Sequence, residues 1–252
     1  MKSTANRLES GRDAPDSSSF RLPPSALSVI VPVLNEANTI DACLRALVPL
    51  RARGVEVIVA DGGSTDRTPS LAAPLCDRIV SGARGRALQM NAGAAQARGD
   101  VLLFLHADVL LPADADRLIL ASMRETRRRW GRFDVRLSGS HPLLRAVAFL
   151  MNLRSRLTGI ATGDQCLFVE RALFDRLGGF ARIPLMEDIE LSARLKRCSR
   201  PACLRERVVA SSRRWEAQGM LGTILMMWRL RLAFYFGASP DRLARIYYRN
   251  ES

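Results

Sequence analysis

Four short apolar runs constrain this chain more than any other feature. Three of them end in a polar cluster, and stretches of helical spacing separate the runs. Leu27-Ser28-Val29-Ile30-Val31-Pro32-Val33 is largely β-branched and apolar on both faces, as a strand covered on both sides must be, and it ends at Asn35-Glu36. Apolar residues at Ile40, Leu44, Leu47 and Val48 then predict a helix, with Asn38 as its N-cap. Val55 to Ala60 reads as a second strand closing on Asp61-Gly62-Gly63-Ser64, and Thr65-Asp66 is placed to cap a helix running through Leu75. Arg78-Ile79-Val80 is a short third strand, and an Ala-rich helix is expected from Arg86 to Arg98. Val101 to Leu105 is a fourth strand, ending at His106-Ala107-Asp108. Strand and helix in strict alternation give an α/β fold: a mostly parallel sheet with right-handed crossovers and helices on both faces. Ligands of open sheets of this kind bind beyond the carboxyl ends of the strands, which is where the polar clusters fall.

The second half is less regular. Arg132 to Leu137 reads as a strand, His141 to Arg156 as a helix, Asp164 to Val169 as another strand, and Glu187 to Arg197 as an amphipathic helix. Met220 to Phe236 is almost wholly apolar but contains Arg229 and Arg231. A membrane-spanning helix needs about 20 apolar residues and tolerates central arginine poorly, so none is expected here. Pro240 breaks the chain before a last helix ending near Tyr248. Residues 1–25 are rich in Ser, Arg, Asp and Pro and lack an apolar signal core, which predicts a polar tail and no secretory leader. The expected division is a tail at 1–25, an α/β domain at 26–212 and a C-terminal amphipathic helical segment at 213–252.

Lys and Arg number 38 against 25 Asp and Glu, a net charge of +13. That balance favours anionic partners: nucleotide phosphates, nucleic acid or an acidic membrane surface. Nearly all of the excess is arginine, which a GC-rich genome also produces. The arginines are spread along the chain, with local runs such as Arg127-Arg128-Arg129 and no aromatic stacking platform, which argues against nucleic acid. Five cysteines (Cys43, Cys76, Cys166, Cys198, Cys203) form no CxxC pair, the pattern of reduced, mostly buried thiols in a cytosolic protein.

Three acidic positions carry the chemistry. Asp61 at a strand end offers acceptors to base or ribose donors, and Gly62 and Gly63 let the backbone turn close to a ligand; a plain strand-to-helix turn explains the same residues. Asp108 directly follows an apolar strand, where burial without a partner is costly, and Mg²⁺ or Mn²⁺ on a diphosphate would supply that partner. The alternative is a solvated loop aspartate. His106 is expected to be structural, with a secondary option as a ligand or phosphate donor. Glu187-Asp188 stands at a helix start, where the helix dipole alone would favour it; the functional reading makes Asp188 a general base and Glu187 its orienting neighbour or a further metal holder.

The ordered set Ile30 to Glu36, Val59 to Asp66, Phe104 to Asp108, then Glu187-Asp188 resembles the family 2 glycosyltransferases of the GT-A (Rossmann-like) fold, over about Leu27 to Tyr248. The segments Gly85 to Asn91, Gly163-Asp164-Gln165 and Arg213 to Glu216 are similar to a bacterial subgroup described as radical-SAM/selenodomain-associated and linked to arsenosugar biosynthesis. The resemblance implies an inverting transfer of one sugar from a nucleotide diphosphate sugar, UDP-linked, to a hydroxyl acceptor. By the same resemblance Asp61 recognises the base, and Pro32, Asn35 and Glu36 form the first nucleotide loop. Gly62 and Ala107 also line the nucleotide site, and Arg86 approaches the diphosphate. Asp108 is the last acid of an Asp-x-Asp metal motif for Mg²⁺ or Mn²⁺, Asp188 is the base beside Glu187, and Gly163, Asp164, Gln165, Arg214 and Trp215 stand on the acceptor side. Three departures are visible: Ala60 replaces the first acid of the usual Asp-Asp pair, His106 that of the metal motif, and Ser211 stands where Gln precedes Arg-Trp in processive synthases. The last, with no spanning helix expected, favours transfer of a single sugar over polymer growth.

A sugar-phosphate nucleotidyltransferase is the competing enzyme reading; it would want a basic Gly-rich loop where Asn35-Glu36 stands. A basic nucleic-acid-binding protein is the competing non-enzyme reading. The apolar set Met220, Leu221, Ile224, Leu225, Met227 and Trp228 with Arg229 and Arg231 fits either a helix lying on a membrane, presenting a lipid acceptor, or a core helix or homodimer interface. Localisation is expected to be cytoplasmic, with peripheral contact at the inner membrane face under the first option.

Overall fold

The structure, a computed structural model, describes residues 26–213 and 219–249. The polar tail at 1–25 lies outside the described residues, as do Arg214 and Trp215.

The first half alternates as its pattern predicts: β1 (Leu27–Val33), α1 (Ile40–Ala52), β2 (Glu56–Asp61), α2 (Thr68–Ala72), β3 (Arg78–Ser81), α3 (Arg86–Gln96) and β4 (Val101–Phe104). β2, β1 and β4 align in parallel, with β3 beside β2. After β4 come β5 (Val109–Leu110), α4 (Ala115–Thr126), β6 (Trp130–Leu137), α5 (Pro142–Thr158), β7 (Phe168–Glu170), α6 (Arg171–Arg176), α7 (Glu187–Cys198) and β8 (Ala202–Ala210). Two further helices follow, α8 (Met220–Tyr235) and α9 (Pro240–Arg249). The strands form one sheet in the order β3-β2-β1-β4-β7-β6-β8-β5. β7 runs antiparallel to both β4 and β6, β5 antiparallel to β8, and β6 parallel to β8.

Alternate residues of the same strands feed two cores, which is why the strands read as continuously apolar. Val29, Val31 and Val33 of β1 pack with Ile40, Leu44 and Leu47 of α1 and Ile119 of α4. Ile30, Ile58 and Phe104 face the other way, onto Ala87, Met90 and Ala94 of α3 and Leu191 and Leu195 of α7. A third cluster joins Leu185 and Met186, just before α7, to Leu230 of α8 and Leu243 and Tyr247 of α9. The C-terminal helices thereby close over the end of the sheet where the strands β1, β2 and β4 finish.

Several local expectations need correction. Asn38 does not cap α1; the preceding residue is Thr39, whose hydroxyl is tied to the Glu36 carboxylate at 2.7 Å. α2 ends at Ala72 and passes into a 3-10 turn, Ala73–Leu75. The strand expected from Asp164 to Val169 is a 3-10 turn, Gly163–Gln165, followed by left-handed Cys166 (φ 49°) and the short β7. Gln165 causes this: its Oε1 accepts from the Thr162 N–H at 3.3 Å and its Nε2 donates to Asn152 at 3.3 Å, so the segment curls instead of extending. All five cysteines are free; Cys43 and Cys166 are buried, Cys76 and Cys203 half-buried and Cys198 exposed.

Candidate active site

The carboxyl ends of β1 and β4, the start of α7 and the inner face of α8 enclose a crevice of about 180 Å³. Its wall contains Pro32, Glu36, Arg86, Ala107, Asp108, Gly163, Asp164, Glu187 and Asp188 from the expected set, together with His106 and Arg231. Residues from 32 to 231 therefore converge on one space.

The start of α7 is the most constrained part. Met186 precedes it in the left-handed region (φ 69°), a conformation costing a non-glycine residue on the order of 1–2 kcal/mol. This turn points Glu187 inward and sets Asp188 against the 163–165 turn. One Asp188 carboxylate oxygen accepts from the Gly163 N–H at 2.7 Å, and the other from the Ile189 N–H at 2.7 Å. Gly163 has no alternative at its position: a Cβ there would lie 2.1 Å from Cε1 of His106. His106 in turn lies 3.9 Å from the Asp164 carboxylate. The order His106, Gly163, Asp188 is thus a packed stack that fixes the base candidate against β4's end.

Glu187 is 3% exposed, with Arg86 at 3.6 Å. Burial raises the Glu187 pKa above the ordinary glutamate value and Asp188 raises it further, while Arg86 pulls in the opposite direction. For Arg86 burial disfavours the charge, but Glu187 and the nearby Asp188 and Asp164 carboxylates outweigh it, and the guanidinium is held above its usual range.

Asp108 corrects an expectation. It is exposed on the crevice wall rather than buried, so no buried-charge penalty demands a cation there. Its suitability for a metal rests on the donor set instead. Among the described residues no group of three or more His, Cys, Asp or Glu side chains is arranged to hold an ion by itself. One exposed carboxylate fits a hard cation that takes its remaining oxygens from a diphosphate and water.

Asp61 does not line this crevice. It is 6% exposed, and its carboxylate accepts from the N–H groups of Gly63 (3.2 Å) and Ser64 (3.1 Å) and from the Ser64 hydroxyl (2.6 Å). Asn35 and Gly62 are also outside the wall. Asn35 ties the β1 loop to the β2 loop: its N–H donates to the Ser64 hydroxyl at 2.9 Å and its Oδ1 accepts from the Thr65 N–H at 2.9 Å. A Cβ at Gly62 would lie 2.9 Å from Cδ of Gln89, so a larger residue there would displace the Gln89 amide. Gln89 staples the ends of β1 and β2 by donating to the Val33 (2.6 Å) and Ala60 (3.1 Å) carbonyls. Gln165 is fully buried and acts as the strut described above.

Sequence reasoning missed Arg154 and Gln89. Gln89 lies within the Gly85 to Asn91 segment, where the motif assigns it no role of its own, and Arg154 sits in a helix whose spacing marks it only as a member of a face. A larger groove of about 740 Å³ opens between α8 and α9, lined by Leu225, Leu230, Leu243 and Ile246 with Arg229 and Arg242. It has no carboxylate among its described lining residues, which separates it from the chemistry.

A doubly wound sheet with an acidic crevice beyond β1 and β4 defines a GT-A-like α/β protein, and comparison with solved structures agrees. TarS 1-349 of S. aureus in complex with UDP-GlcNAc superposes with a TM-score of 0.60 at 19% identity, over 73% of this chain and 58% of that one. The mannosyltransferase PcManGT from Pyrobaculum calidifontis, in complex with GDP-Man and Mn²⁺, gives a TM-score of 0.59 at 23% identity, over 84% and 63%. The family model for glycosyl transferase family 2 matches residues 28–174, and the chain belongs to that family. A curated relative, the PGL/p-HBAD biosynthesis glycosyltransferase of Mycobacterium bovis (strain BCG / Pasteur 1173P2), is 31% identical over 177 residues, 61% of this chain and 62% of its own length. The chain thus spans about six tenths of the curated relative it matches.

Proposed function

We propose that the protein transfers a single sugar from a nucleotide diphosphate sugar, UDP-linked, to a hydroxyl acceptor with inversion at the anomeric carbon. The observation that carries this is the placement of Asp188, anchored on the Gly163 N–H, in the same crevice as Asp108 and Arg86. In this reading Asp188 takes the acceptor hydroxyl proton as the oxygen attacks the anomeric carbon. The bond from that carbon to the phosphate oxygen breaks, and the nucleoside diphosphate leaves. Asp108 holds Mg²⁺ or Mn²⁺ on the diphosphate; when bound, the ion neutralises charge on the leaving group. Arg86 adds a fixed positive charge at the same end, and Glu187 keeps Arg86 in place.

The crevice is smaller than the roughly 300–1,000 Å³ of an ordinary small-molecule site, so the base must extend past it toward the β2 loop, where Asp61 and Asn35 organise the backbone. Residues 26–212 form the glycosyltransferase domain, with Gly163, Asp164 and Gln165 on its acceptor side, and Arg214 and Trp215 of the segment 213–252 are assigned to that side as well. Within the family, the motifs at Gly85 to Asn91, Gly163 to Gln165 and Arg213 to Glu216 support the radical-SAM-associated, arsenosugar-linked subgroup. Asn91 there has a structural part, exchanging hydrogen bonds with the Phe180 backbone at 2.8 and 2.9 Å.

Peripheral docking to the inner face of the membrane is supported by exposed apolar side chains on two helices: Phe149, Leu150 and Leu157 on α5, and Leu225, Trp228, Leu232 and Tyr235 on α8. No helix among the described residues is long and apolar enough to cross a membrane, so the contact proposed is interfacial.

The test is a thermal-shift panel of nucleotide sugars with and without Mn²⁺. Because the protein supplies few ligands of its own, Mn²⁺ alone should shift Tm little, and a UDP-sugar with Mn²⁺ should shift it by several degrees. Asp108→Ala should remove the metal-dependent part. No response to any nucleotide sugar, with or without metal, would overturn the assignment.

A further inference from the structure

The crevice region carries positive charge that the transfer step above does not use. Arg231 of α8 lines the crevice beside Asp188, and among the described residues its buried Nε has no hydrogen-bond partner. Arg154 of α5 is in the same state at two atoms, Nε and Nη2. Leaving buried donors unmet is costly, and more so when the group is charged. Burial pulls the Arg231 pKa down, with Asp188 and Asp164 opposing. The Arg154 pKa is pushed down to about 10 by burial, with Arg231 adding to the effect and Asp188 opposing it. The two guanidinium charges therefore lie near one another and near the candidate base. The carboxylate they share is already held by the Gly163 N–H. A third arginine, Arg132, differs in pairing with Asp134 and donating to the Asn152 carbonyl at 3.2 Å, although among the described residues its Nε also lacks a partner, and it adds positive field at Arg154.

Position separates this pair from the donor end. The nucleotide half of the sheet is β3-β2-β1-β4, with Arg86 and Asp108 at its edge. Arg154 belongs to the helix that packs on β6, in the other half, and Arg231 to a helix that follows β8. Arg231 lines the crevice together with Asp188, and Arg154, outside the wall, is near enough for both charges to act on it.

We propose that Arg154 and Arg231 form a receptor for a phosphate-class oxyanion carried by the acceptor, which places the acceptor hydroxyl at Asp188. This rests on the glycosyltransferase reading and deepens it by naming the acceptor's chemistry. Two neighbouring guanidinium groups with unmet N–H donors are the chemistry from which a tetrahedral oxyanion accepts best. The donor diphosphate is assigned instead to Arg86 and a cation that Asp108 would hold in the same crevice. The anion has two possible sources, a water-soluble phosphate ester or the headgroup of a lipid.

The test uses inorganic phosphate as the probe, in calorimetric titrations at constant ionic strength against matched chloride. The full chain is titrated alone and again when saturated with UDP and Mn²⁺. Wild type should bind phosphate in both states. Arg231→Gln and Arg154→Gln should weaken phosphate about tenfold or more, the usual effect of losing a charge-assisted hydrogen bond, and should change UDP affinity less than about twofold. The corresponding Lys variants keep the charge, control for folding and should retain part of the phosphate binding. If UDP displaces phosphate, or if the Gln variants weaken UDP and leave phosphate unchanged, the pair serves the donor and the proposal is wrong. Absence of phosphate binding by wild type also overturns it. If UDP itself does not bind, the glycosyltransferase reading fails, and the titration without nucleotide still tests the arginine pair. Vesicles of phosphatidylglycerol that compete with phosphate would assign a lipid headgroup; competition by glycerol 3-phosphate alone would assign a soluble ester.

Discussion

At the scale of single residues, Glu187 shows stability and function in conflict. Its carboxyl binds a proton more tightly in the folded chain than in the unfolded one, because burial and Asp188 together outweigh Arg86. A raised acid is a folding penalty when ionised: the penalty is fully present above the folded pKa and disappears as pH falls through it to the ordinary glutamate range. Glu187→Gln should therefore raise Tm at pH 8 and lose that advantage progressively below the folded pKa, while sugar transfer falls. Melting curves from pH 4 to pH 8 check this; a Tm lowered equally at all pH values would show that the pairing with Arg86 dominates. Residue identities were legible here, but their environments were not. Asp108 comes soon after four buried strand residues, and nearness to them suggested burial; Leu105, Ala107 and Val109 are indeed buried, but the Asp108 side chain between them is exposed. Asp61 and Asn35 were legible as loop residues, yet their polar atoms close the loops themselves. That use depends on partners near residue 64, which spacing alone does not reveal.

At the scale of elements, α1 and α4 are locked by one ion pair. Asp116 is fully buried at the start of α4, and Arg53, just past α1, reaches it through Nε at 2.8 Å and Nη2 at 2.7 Å. Removing the arginine alone leaves a buried carboxylate unmet, so Arg53→Ala should destabilise by about 3–5 kcal/mol in a urea titration, with Asp116→Asn costing less. A change under about 0.5 kcal/mol would show the pair behaving as a surface bridge. Neither α4 nor β8 was expected from the sequence. β8 carries Arg205-Glu206-Arg207 in its middle, which breaks the apolar pattern; its register with β6 shifts between Phe133 and Asp134, and those three residues are exposed. By contrast α3, α5 and α7 lie within two residues of their expected bounds, since each buries one face at helical spacing.

For the whole molecule, local alternation made the parallel half of the sheet readable. The other half depends on partners far apart in sequence, such as β6 with β8 and β4 with β7. The net charge of +13 and the exposed apolar side chains of α5 and α8 make one joint prediction. The protein should float with phosphatidylglycerol vesicles at low salt and detach as salt screens the attraction, and Trp228→Glu should weaken flotation. Failure to float at low salt would leave those side chains to another partner.

The most direct measurement of the central claim is turnover by Asp188→Asn, with nucleotide binding measured on the same preparation. A positioned base contributes roughly 10²–10⁴-fold, so transfer should fall by that factor while nucleotide affinity holds. Normal turnover by the variant would contradict the account.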